Sequence, residues 1–144
     1  MLKILLAVDG SESALRATRK LIETAALYKE RPEVELVTVH RSLPPAGGFA
    51  DVVVSQELIE RYYGEEGGRA LAPSGQLLAA AGVKYAPHIL IGDIAPTIVE
   101  HGRNSGCHMI YMGTRGMTAI SNLVVGSIAT RVLHLTRIPV VLIH

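Results

Sequence analysis

The stretch Met112-Gly113-Thr114-Arg115-Gly116, running on to Gly126-Ser127, constrains this chain more than any other. Before it, Met109-Ile110-Tyr111-Met112 is an apolar run that reads as a buried strand. The run stops at Gly113, where glycine permits backbone angles that other residues resist, and Gly116 repeats the permission. Behind Gly126-Ser127, the residues Ile128, Ala129, Val132 and Leu133 recur at helical spacing. A strand therefore ends in a glycine loop, and a helix begins at a glycine-serine pair. Such a junction suits an anion: glycines let N–H groups approach closely, and a helix start offers unpaired donors and the positive end of its dipole. Arg115 adds a full positive charge.

The rest of the chain alternates strands and helices. Residues 2–8 are almost continuously apolar, the pattern of a strand covered on both faces. A helix of about sixteen residues follows Asp9-Gly10-Ser11, capped by Ser11 or Ser13, with Ala14, Ala17, Leu21 and Ile22 on one face. Residues 34–39 are β-branched enough for the second strand, with Glu35 near its entrance, and 41–52 reads as a mobile loop. The segment 55–81 has helical spacing but carries Gly64, Gly67, Gly68, Pro73 and Gly75. Interior glycine costs about 1 kcal/mol and interior proline about 3, so this is either one kinked helix or two, ended at Gly82. Residues 85–91 form the third strand, marked by Pro87 as an edge. Asp93 caps a helix with Pro96 in its first turn. Strand four covers 107–112, the last helix lies within 123–135, and strand five covers 139–143.

Strands that return to one direction through helices build a parallel sheet with right-handed crossovers. The expected class is α/β: an open five-stranded parallel sheet, order 3-2-1-4-5, with helices on both faces, in one domain spanning 1–144. The winding reverses between strands one and four, and a ligand crevice opens there, outside the carboxyl ends of the strands. Asp9 and Gly113, which leave those strands, should face each other across it. A carboxylate repels phosphates, so Asp9 meets a base, a sugar or a bridging cation, unless it only caps the first helix.

Composition narrows the partners. The net charge of +1, with no basic cluster or aromatic platform, argues against a nucleic-acid footprint. No stretch approaches the ~20 apolar residues of a membrane span, and the apolar start reaches Asp9 too soon for a signal peptide. A single cysteine, Cys107, excludes a disulfide framework and suits a reducing cytoplasm. The six histidines show no compact metal-ligand spacing, so no metal site is expected. Both Gly-x-Gly-x-x-Gly and the P-loop Gly-Lys-Ser/Thr are absent.

The spacing Gly-x2-Gly-x9-Gly-Ser, at Gly113, Gly116, Gly126 and Ser127, resembles the nucleotide-binding signature of the universal stress protein family. The resemblance extends to Ile4-Leu5-Leu6-Ala7-Val8-Asp9-Gly10-Ser11 at the start and Ile138-Pro139-Val140-Val141-Leu142-Ile143 at the end. It implies a Rossmann-like fold of the adenine nucleotide alpha hydrolase type. It also implies base recognition by Asp9 and a main-chain group of Val39. Triphosphate recognition would fall to the junction that begins at Met112: Gly113, Arg115, Gly116, Gly126, Ser127 and the N–H of Ile128. The implied ligand is ATP, with AMP or ADP as alternatives and Mg²⁺ bridging the phosphates. The implied assembly is a homodimer through the strand at 139–143, whose open edge is a template for pairing. Three functions remain: an ATP-binding, stress-linked regulator acting on an unidentified protein partner; a slow Mg²⁺-dependent ATPase or nucleotidyl-transfer enzyme; and an interaction module that binds no nucleotide. With no P-loop lysine, slow hydrolysis at most is expected, and no catalytic residue is assigned.

Overall fold

Ile4, Leu5 and Leu6 are fully buried, which a strand achieves only when both faces of its sheet are covered. A computed structural model describes residues 1–42, 55–115 and 125–144. Nine elements follow in chain order: β1 (Lys3–Ala7), α1 (Glu12–Ala25), β2 (Glu33–His40), α2 (Gln56–Ala80), β3 (Tyr85–Ile91), α3 (Ile94–Asn104), β4 (Met109–Gly113), α4 (Ser127–Leu135) and β5 (Val140–Ile143). The strands make one five-stranded sheet in the order β3-β2-β1-β4-β5, every pairing parallel, as the sequence pattern requires. From residue 43 onwards the expected loop lies outside the described residues, as do Gly116 and the first part of the 123–135 stretch.

The strand alternation divides the core in two. Ile4, Leu6, Val34, Leu36 and Tyr111 pack against Ala14, Ala17 and Leu21 of α1 and Leu71 and Leu78 of α2. Leu5, Ala7, Val37, Ile110 and Met112 pack on the opposite face against Ala95 and Ile98 of α3 and Ala129 and Val132 of α4. At the edge, Val34 donates to Lys84 and Gly92 donates to His40. With that register, the β3 residues that bond β2 are the even-numbered ones, so the N–H that Pro87 lacks belongs to the outer side.

Of the two alternatives for the segment 55–81, the structure has the single helix, continuous over Gln56–Ala80 with Pro73 inside it. Packing outweighs the local cost, because two of its glycines are contact points. A Cβ at Gly67 would fall 2.6 Å from Ile89, and one at Gly75 would fall 3.0 Å from the Tyr85 hydroxyl. The helix ends as expected at Gly82 (φ 69°), where Val83 donates to Leu78 and Gly82 to Ala79. One expectation needs correction: strand four starts at Met109, not at Cys107. Cys107 belongs to the turn behind α3, its N–H donating to the Gly102 carbonyl.

Buried hydroxyls join α1 to α2. Thr18 donates to the Ala14 carbonyl at 2.8 Å, so its 2.8 Å contact with Ser74 has the serine as donor. The two partners are therefore unequal. Ser74→Ala leaves Thr18 satisfied and should cost about 1 kcal/mol, whereas Thr18→Val strands a buried hydroxyl and should cost about 2–3 kcal/mol. The double variant should cost less than the sum of the singles. Urea unfolding of all four proteins checks this cycle, and additive losses would refute the coupling.

Candidate functional site

At the end of β1 the backbone turns through Gly10 (φ 84°). There Asp9 Oδ1 accepts the Ser11 N–H at 2.9 Å, and Ser11 Oγ accepts the Ala14 N–H at 3.2 Å. Ser11 is thus the cap of α1, while Asp9 braces the turn and remains at the solvent-facing side of the strand end. The cap role considered for Asp9 passes to its neighbour.

Ser13 does something the sequence did not announce. It is 3% exposed, and its Oγ accepts the Arg115 N–H at 3.2 Å, tying the first turn of α1 to the chain leaving β4. This contact also explains Gly113. Gly113 is not among the positive-φ glycines of the described residues, so backbone freedom is not its role. A Cβ there would meet Ser13 Oγ and stand 2.8 Å from the Ser13 backbone. Gly126 follows the same logic: its φ is −70°, and a Cβ would lie 2.9 Å from the Thr114 carbonyl, which accepts the Gly126 N–H. Close approach, rather than conformational freedom, demands both glycines.

Gly126 is the N-cap of α4 and supplies no capping side chain. The N–H groups of Ser127 and Ile128 therefore open the helix beside Arg115, as the anion reading requires. Thr114 is 5% exposed, and its Oγ1 has no hydrogen-bond partner among the described residues. That orphaned hydroxyl at the helix mouth matches a phosphate oxygen or the water of a hydrated cation.

On the other side of β1, Val37 accepts from Val8, whereas His40 accepts from Gly92 on the β3 side. By alternation Val39 turns its N–H and C=O towards β1, at a level beyond the last β1–β2 pair, Ala7–Val37. These backbone groups stand next to Asp9, above the strand end.

All of this surrounds one cavity of about 340 Å³. Asp9, Val39, Met112, Gly113, Arg115, Gly126, Ser127 and Ile128 line it, and Gly116 lies outside the described residues. Sequence reading missed Thr114 and the apolar wall of Ala7, Val37, Ile94 and Ile98. The two isoleucines recur at helical spacing in α3, and nothing in that spacing separates a core position from a cavity wall. The site thus has an apolar slot between β2, α3 and β4, a carboxylate and backbone pair at one end, and a cationic helix mouth at the other.

Asp93 departs from expectation. It holds the N-cap position of α3 without a side-chain capping bond; its carboxylate instead forks onto Arg131 of α4 at 3.0 and 3.1 Å. The Arg131 hydrogen bonds hold the Asp93 carboxyl below its ordinary range. Cys107 lies away from the cavity, and burial, together with the Glu35 charge, pushes its thiol up to about 11.

The sequence profile of the Universal stress protein family matches residues 1–144. A universal stress protein of Methanocaldococcus jannaschii is 33% identical over 141 residues, covering 98% of this chain and 81% of that protein. A universal stress protein structure from Archaeoglobus fulgidus in complex with dAMP superposes with a TM-score of 0.65 at 24% identity, covering 100% of this chain and 98% of the other. A universal stress protein structure in complex with cAMP has a TM-score of 0.67 at 19% identity, covering 99% and 97%.

The glycine argument predicts effects of opposite sign. Gly113→Ala forces α1 away from β4 and should lower stability by about 1–3 kcal/mol. Gly64→Ala or Gly68→Ala, where nothing lies within 4 Å of the added carbon, should raise it by about 0.5–1 kcal/mol. Thermal midpoints measured side by side check the contrast, and a neutral Gly113→Ala would contradict the packing role.

Proposed function

This chain belongs to the universal stress protein family, and on that premise we propose that it binds ATP in the cavity between β1 and β4 as a nucleotide-dependent regulator. The observation that carries the reading is the polarity of the cavity. Adenine fits the slot between Val37, Val39, Ile94 and Ile98, where its flat apolar face is buried. Its exocyclic amine donates to Asp9, and its ring edge meets the backbone of Val39. The triphosphate then extends to the opening of α4, where the Ser127 and Ile128 N–H groups and Arg115 receive it. Mg²⁺ accompanying the phosphates would be held by the Thr114 or Ser127 hydroxyl, where it would offset phosphate charge. The relatives solved with dAMP and cAMP support an adenine nucleotide as the ligand class.

We read the site as a binder. The carboxylate of the described lining is Asp9, and the proposal commits it to the base end, far from a γ-phosphate. Transition-state charge would rest on Arg115, backbone amides and the metal, which suits slow hydrolysis at most. The protein carries its signal by the difference between its nucleotide-bound and free surfaces, read by a partner in the cytoplasm. No helix of the described residues is long and apolar enough to cross a membrane.

Calorimetry on the folded protein tests the assignment of ends. Asp9→Ala should weaken ATP, ADP and AMP alike by roughly 10- to 100-fold, the worth of a charge-assisted hydrogen bond. Arg115→Ala should weaken ATP and ADP but leave adenosine nearly unchanged. An absence of adenine nucleotide binding by wild type would favour the interaction-module reading, and equal effects of both substitutions on all ligands would reject the orientation.

A homodimer through β5 is part of this proposal. β5 is the outer strand beyond β4, and all four of its residues are half-buried. Ile110 donates to Pro139, and Thr114 donates to Ile143, so odd positions face β4 while Val140 and Leu142 turn their backbone groups outwards. Leu142→Pro removes an outward N–H without touching the β4 pairing. Light scattering should give a dimer mass for wild type and a monomer mass for a variant with native circular dichroism; a dimer in both would rule out this edge.

A further inference from the structure

The end of the sheet opposite the cavity holds a second convergence of side chains. Glu35 enters near the start of β2, His88 sits in β3, and His101 lies in the last turn of α3. Their spacing in the sequence gives no sign of a common site, but parallel pairing sets β2 beside β3, and the returning helix lays His101 across both. The three ligand atoms all lie within 4.8 Å of one another. Glu35 Oε2 is 2.5 Å from His88 Nε2 and 3.1 Å from His101 Nε2.

Two details separate this cluster from an ordinary ion-paired patch. Although His88 Nε2 touches Glu35 Oε2, the contact lies off the direction a ring N–H would take, and this buried nitrogen has no hydrogen-bond partner. The carboxylate is also divided: Oε1 faces Lys3 Nζ at 4.0 Å, and Oε2 is presented to both imidazoles. Glu35 and His101 are 15% and 17% exposed and His88 is 32% exposed, so the cluster is sheltered yet reachable.

We propose that Glu35 Oε2, His88 Nε2 and His101 Nε2 form a binding site for a zinc-class divalent cation. Two imidazoles and a carboxylate select zinc or a neighbouring first-row ion over Mg²⁺ or Ca²⁺, which demand oxygen ligands. Bonds of about 2.0–2.2 Å around a tetrahedral ion put neighbouring ligand atoms roughly 3.3 Å apart. The Glu35–His101 separation of 3.1 Å is close, the Glu35–His88 contact must open by less than an ångström, and the two imidazoles, within 4.8 Å of one another, must draw together around the ion. Three protein ligands leave the fourth position for water. Lys3 opposes the ion electrostatically and stands 4.0 Å from Oε1, the oxygen the site leaves free, and Ser105 Oγ, 3.3 Å from His101 Nε2, must turn away from that nitrogen when the ion binds it. The bound ion would staple α3 to β2 and β3. This inference does not depend on nucleotide binding.

The test uses chelator-treated full-length protein without nucleotide. Zn²⁺ titrated by calorimetry should bind one equivalent, and Co²⁺ should give the visible absorption of a low-coordinate site. Saturating Zn²⁺ should raise the melting midpoint by roughly 5–10 °C. Glu35→Gln, His88→Gln and His101→Gln should each lose at least tenfold in affinity while keeping native circular dichroism. His134→Gln, on exposed α4, should bind as wild type. No stoichiometric binding by wild type would overturn the site, as would binding that survives both histidine substitutions. If a variant fails to fold, the wild-type stoichiometry and Co²⁺ spectrum still decide.

Discussion

Burial of β1 on both faces is the constraint from which the rest of this structure follows. A strand with Ile4, Leu5 and Leu6 all excluded from water must have helices above and below it, and parallel neighbours on both sides supply them through crossovers. Once β1 is central, β2 and β4 flank it, and the chain winds outward in opposite directions from it. The helices of the two halves then part at the carboxyl end of β1, and a cavity forms without any residue being placed there to make it. Asp9, Val39 and Gly113 meet because they lie at the carboxyl ends of three adjacent strands. The nearest support is equally general: Thr114 donates to Ile143 at 3.1 Å, so the last strand anchors the chain where it leaves β4.

Much of this was legible in the sequence because period and punctuation agree with the global arrangement. The near-continuous apolar runs identified the central strands, Pro87 marked the edge, and Gly82 marked a helix end, each for a local physical reason. Where local and global preferences diverge, the sequence left alternatives open. Pro73 and the glycines around it suit one kinked helix or two, and α2 is one continuous helix because Gly67 and Gly75 are the spots where β3 side chains press against it. The penalty is visible from sequence, but the packing that offsets it is not. Gly113 shows a subtler failure. It was singled out correctly, but for freedom of φ, whereas the reason is the nearness of Ser13, a residue a hundred positions earlier.

The same limit explains the histidine cluster. Metal spacing can be read from sequence when ligands share one helix or hairpin, as in i and i+4 pairs or knuckles. Glu35, His88 and His101 come from two strands and a helix, and only strand register joins them. Glu35 was noticed near the entrance of its strand, and its charge in a largely apolar run was the available signal. A carboxylate in a half-buried strand position needs partners. The pattern could say that partners exist, though not which.

The position of α3 connects the two ends of the molecule. Its first turns contribute Ile94 and Ile98 to the cavity wall, and its last turn carries His101 to the Glu35 cluster. A helix of eleven residues spans about 16 Å, so both sites act on one short rigid body. Its N-terminal end is further tied to α4 by the Asp93–Arg131 fork, and α4 is the helix whose first turn opens onto the cavity. An ion fixing the far end of α3 can alter nucleotide affinity only if α3 has two positions that the nucleotide distinguishes, and the effect must then be equal in both directions. A tightly packed α3, with Ala95 and Ile98 buried on the sheet, leaves little room for such motion, so the physical expectation is additive stabilisation with weak coupling. Strong coupling would require the apolar wall to shift with the helix, and Ile94, half-buried at the cavity rim, is the residue whose environment would register it.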